Sequence, residues 1–86
     1  MSGSSLGGHR DDERAFHVLL ERHRGGLEVF CVLMLGDPQR AEHAMREAVL
    51  MAWRERALAR ASPSPRIWLY RIAVRVCSDG LESKRR

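Results

Sequence analysis

Residues 36–55 read GDPQRAEHAMREAVLMAWRE, and this stretch decides the fold. Gly36 ends the segment before it. Asp37 offers a capping carboxylate, and Pro38 takes the first helical position, where its missing N–H costs nothing. Ala41, Ala44, Met45, Ala48, Val49, Ala52 and Trp53 then form one apolar stripe of a helix expected to reach about Arg60. The alanines permit close approach of a neighbouring helix, and Trp53 fills the end.

Downstream, Ser62, Pro63, Ser64 and Pro65 break the chain. Ser64 is the expected N-cap of a third helix, opened by PRIWLYRIAVRV (65–76) and running to about Lys84. Its core stripe is Leu69, Ile72, Ala73, Val76 and Gly80. A second stripe, Ile67, Tyr70, Val74, Cys77 and Leu81, needs cover from the first segment or from a partner.

Upstream, Phe16, Leu19, Leu20, Leu27, Phe30, Cys31 and Met34 recur at helical spacing between about Asp12 and Leu35. Asp11, Asp12 and Glu13 suit a helix N-terminus. Gly25-Gly26 costs about 1 kcal/mol per glycine relative to alanine, so a kink or break is expected there. Residues 1–11 have little to bury and read as a disordered tail, with residues 12–86 as the domain. The fold class is all-α, a small three- to four-helix bundle, with no strand pattern.

Eighty-six residues make one domain, one that buries only about 60–65% of its unfolded surface. Cys31 and Cys77 fall in helical apolar patterns and read as small buried hydrophobes in a reducing cytoplasm. No apolar run is long enough for a membrane span, and the Gly/Ser-rich start lacks the apolar core of a secretory signal. Membrane insertion is therefore not expected, and the location is cytoplasmic. Charge is polarised: residues 1–53 carry six arginines against eight acids, and residues 54–86 nine Arg/Lys against three acids. This favours an anionic partner at the C-terminal half, or marks a solvated basic surface.

No catalytic constellation appears: there is no Gly-rich phosphate loop and no nucleophile motif, so the chain does not read as an enzyme. His9, His17, His23 and His43 match no compact ligand pair with the cysteines, so no metal or cofactor is expected. Two faces remain. On the second helix, His43, Arg46, Glu47, Leu50 and Arg54 share the outer side; Leu50 is an apolar anchor ringed by charge, or one ordinary exposed leucine. On the third, Arg71, Arg75 and Ser78 form a polar strip with Asp79 and Glu82 nearby. Trp68 and Tyr70 are the aromatics best placed to stack on bases, or else core and boundary residues. A basic helix with aromatics at its start suits a strand whose bases are unstacked.

Three runs in order resemble region 2 of a bacterial sigma factor, nearest the small extracytoplasmic-function (ECF) type. They are FHVLLERHRGGLEVFCVLMLGD, PQRAEHAMREAVLMAWRE and PRIWLYRIAVRVCSDGLESKRR. The resemblance implies a transcription-initiation module. Its central helix would dock on the coiled coil of the RNA polymerase beta-prime subunit through Glu42, His43, Arg46, Glu47 and Leu50. Its third helix would bind the promoter −10 element as melted single strand through Trp68, Arg71, Arg75 and Asp79, with Lys84, Arg85 and Arg86 on phosphates. His43 and Arg46 stand where the family carries an acid and a glutamine, and Arg75 where it carries asparagine. The family's linker and its second domain, which reads the −35 element, are not in this sequence. The alternative reading is a degenerate sigma-like module that binds an anti-sigma factor or other regulator without recognising DNA.

Overall fold

The computed structural model describes residues 2–85, with side chains for residues 12–82. Four helices follow one another: α1 (Ser2–Leu35), α2 (Pro38–Arg54), the short α3 (Arg56–Ala59) and α4 (Pro65–Arg85). Helices α1, α2 and α4 pack pairwise, and no strand occurs among the described residues. None of the helices is long and apolar enough to cross a membrane.

The local chemistry explains the boundaries. Gly36 adopts φ 70°, a left-handed conformation that closes α1 at no steric cost. One residue later the Asp37 carboxylate accepts from the Gln39 N–H at 3.0 Å, and Pro38 opens α2. The Ser64 hydroxyl accepts from the Ile67 N–H at 3.3 Å, so Ser64 caps α4 as its sequence implies.

Three boundaries differ from the sequence reading. The N-terminal segment expected as a tail continues α1 back to Ser2. Once a helix exists, each added residue fixes one backbone position for one hydrogen bond, and no proline intervenes. The break expected at Gly25-Gly26 does not occur. Leu20, Leu27, Cys31 and Leu35 are all buried on one side of α1, and that burial outweighs the glycine penalty. Gly26 has its own reason: the Tyr70 hydroxyl occupies the space where a Cβ would stand. Helix α2 stops at Arg54 rather than Arg60. There the Arg56 guanidinium donates to the Trp53 carbonyl at 2.7 Å, satisfying a helix-end acceptor while α3 turns away.

The core lies where the three long helices meet. Helix α2 contributes Ala41, Ala44, Met45, Ala48 and Ala52, and α4 contributes Leu69, Ile72, Ala73 and Val76. Most of α4's second stripe is covered from within: Cys77 is buried, and Tyr70 and Leu81 pack against the core, whereas Ile67 and Val74 face solvent. Cys31 and Cys77 are fully buried neighbours from α1 and α4. Burial pushes the Cys31 thiol up to about 12, helped by its hydrogen bond with Cys77. Asp12 ties α3 to α1, with Arg60 at 2.9 Å and Arg56 at 4.0 Å. Arg56 also lies over the Trp53 ring, which meets Phe16 edge-on.

Candidate nucleic-acid interface and docking face

Helix α4 presents Ile67, Arg71, Val74 and Arg75 to solvent along one side. Across from them, Glu55 and Leu58 form the other wall of a groove of about 810 Å³. Steps of four residues drift by about 40° around a helix. The line Arg71–Arg75–Asp79 therefore leans toward α2, and Asp79 lines a different concavity, shared with His43 and Glu47. The structure brings Arg71 and Arg75 together and leaves Asp79 apart. Lys84, Arg85 and Arg86 lie outside the described side chains.

The aromatics take the second of their two readings, core and boundary, and Trp68 leaves the set of strand-facing residues. Trp68, expected toward the strand, is 7% exposed and belongs to the core. A domain this small has few large apolar side chains, and the indole is worth more inside than on a wet edge. Tyr70 is half-buried, packed edge-on against Phe30 at 5.6 Å, with its hydroxyl at Gly26 and Arg66 over its ring at 5.8 Å. The α4 edge is cationic and aliphatic rather than ring-bearing.

Its charge is also smaller than the composition suggests. Asp12 takes Arg56 and Arg60, and Glu55 takes Arg75 at 2.9 Å. Among the described residues, Arg71 forms no ion pair. The Glu55 partnership lies twenty residues from Arg75 in sequence and has no local pattern to reveal it. Met51, which takes a second donor hydrogen bond from Arg75, was equally invisible.

On α2, Glu42, His43, Arg46, Glu47 and Leu50 are all exposed, Leu50 at 57%. Each acid has a partner one turn away: Glu42 meets Arg46 at 2.8 Å and Glu47 meets His43 at 3.4 Å. Such pairs add only about 0.2–0.5 kcal/mol each, and they set mixed charges around the face's apolar centre. The ridge of α2 divides the five. Glu42, Arg46 and Leu50 border a groove against α1 that includes Val32 and Val49, while His43 and Glu47 border the concavity against α4. Among the described residues no cluster could hold a metal ion.

The model of one family, Sigma-70 region 2, matches residues 19–86, which include both faces. The chain belongs to the sigma-70 region 2 family. It is also similar to the ECF RNA polymerase sigma factor SigG of Mycobacterium tuberculosis, from strains CDC 1551 / Oshkosh and ATCC 25618 / H37Rv. Each is 36% identical over 77 residues, covering 87% of this chain and 21% of the relative. The sigma-like chain thus spans about a fifth of the length of these curated relatives, whose names support the ECF subfamily expected from its sequence. No solved structure matches it. In this region 2 domain, α2 is the helix expected to dock and α4 the helix expected to meet DNA.

Proposed function

We propose that this region 2 domain takes part in transcription initiation in the bacterial cytoplasm. It docks on RNA polymerase core, at the beta-prime coiled coil, through Leu50 and the paired charges around it. It lays the Arg71–Arg75 edge of α4 against the melted −10 strand. It acts by binding rather than catalysis. The observation that supports this most is the segregation of the two faces: an apolar anchor ringed by mixed polar and charged side chains on α2, and exposed arginines with aliphatic neighbours on α4. One surface suits protein and the other suits phosphate.

Opening a duplex costs about 1.4 kcal/mol per base-pair step. Stacking on an aromatic ring supplies about 1–3 kcal/mol per base, and neither Trp68 nor Tyr70 is free to provide it. The domain alone therefore binds DNA weakly, and polymerase must hold the opened duplex. The test is a pull-down on core polymerase. Retention that is lost in Leu50→Asp with an unchanged melting curve supports the reading. A chain that ignores polymerase and retains a small helical regulator instead reverses it in favour of an anti-sigma-binding module.

A further inference from the structure

Arg75 is exposed, but its Nη2 donors are spoken for. Its Nη2 donates both to the Glu55 carboxylate at 2.9 Å and to the Met51 sulfur at 2.8 Å. A guanidinium has two edges that can grip a phosphate or a guanine at two points, Nη1–Nη2 and Nε–Nη2. Both edges use Nη2. With its two hydrogens engaged, Arg75 offers single donors and no two-point edge. Arg71, one turn earlier on the same side of α4, has no such restraint among the described residues.

We infer that Glu55, at the α2–α3 junction, is a gate on Arg75 that limits how tightly the α4 edge holds a single strand. The inference rests on the strand-facing reading of α4. Arg71 engages the backbone first. Arg75 adds a two-point grip only when a strand phosphate or base edge displaces the Glu55 carboxylate. The gate is soft, because side-chain exposure of 56% for Arg75 and 32% for Glu55 leaves the pair partly screened by water. A soft gate suits a surface that must release DNA as well as hold it.

The test is a double-mutant cycle on the full chain. Fluorescence anisotropy follows binding of a short labelled oligothymidine strand at low salt, alone and with core polymerase, and thermal melts check folding. Glu55→Gln keeps the side chain's size and removes its charge. It should tighten binding by about two- to fivefold, the range that an ion pair of this exposure holds back. The gain should vanish in Glu55→Gln/Arg75→Ala. A gain that persists without Arg75 would mean that Glu55 simply repels the strand, and would overturn the gate. No gain, while Arg71→Ala still weakens binding, would overturn the gate and leave the strand reading intact. If Arg71→Ala and Glu55→Gln both change nothing, or if no variant binds at all, the strand reading fails and the gate with it.

Discussion

Gly25 and Gly26 are adjacent on α1 and chemically identical, yet alanine should act oppositely at the two. A Cβ at Gly25 meets nothing within 4 Å. Gly25→Ala should therefore gain the full helix-propensity difference, about 1 kcal/mol, a rise of roughly 4–8 °C in melting temperature for a domain of this size. At Gly26 the same gain meets the Tyr70 hydroxyl. The ring cannot swing freely, with Phe30 edge-on and Arg66 above it. Displacing a packed side chain costs about 1–3 kcal/mol, so Gly26→Ala should be neutral to about 2 kcal/mol destabilising. Tyr70→Phe removes the obstructing oxygen and leaves the nearest ring carbon at 3.7 Å, an ordinary contact. In that background Gly26→Ala should recover its gain of about 1 kcal/mol. Thermal and urea denaturation followed by helical circular dichroism reads all five chains. If the two alanine variants melted alike and Tyr70→Phe altered neither, α4 would not pack on α1 through Tyr70 and Gly26.

Trp68→Ala should cost about 3–5 kcal/mol in urea denaturation, as for a core aromatic; a loss below about 0.5 kcal/mol would return the indole to the surface. Stability should also fall in alkali. Below pH 9.0, the ordinary thiol value, folded and unfolded chains both keep the Cys31 proton. Above it the unfolded chain ionises while the folded thiol holds its proton to about 12, so stability declines across that window. The slope is on the order of 1 kcal/mol per pH unit, and Cys31→Ala should flatten it. Arg71→Ala should weaken single-strand binding and lower the salt slope by about 0.7, one phosphate contact's share; an unchanged slope would mean that Arg71 touches no phosphate.

Much of the bundle is legible locally. Asp37, Pro38 and Ser64 mark helix starts through interactions within three residues, and the alanine stripe of α2 needs only helical periodicity. What depends on contacts across the chain is not. Gly25-Gly26 reads as a break because the burial that holds α1 straight comes from α2 and α4. Trp68 reads either as strand-facing or as core, because the elements that enclose its indole are remote in sequence. The same limit applies to the candidate site. That Leu50 and its charged neighbours are exposed on the outer side of α2 follows from angle alone; their division between the α1 and α4 grooves does not. The pairing of Glu55 with Arg75 joins two helices, so composition counts both as free charges when each occupies the other.

The most direct measurement of the account is site-specific photo-crosslinking with the chain bound to core polymerase and a labelled open −10 strand. A photoreactive residue at position 71 should capture the strand, and one at position 46 should capture the polymerase. Strand capture from position 46 with none from position 71 would contradict the assignment of the two faces.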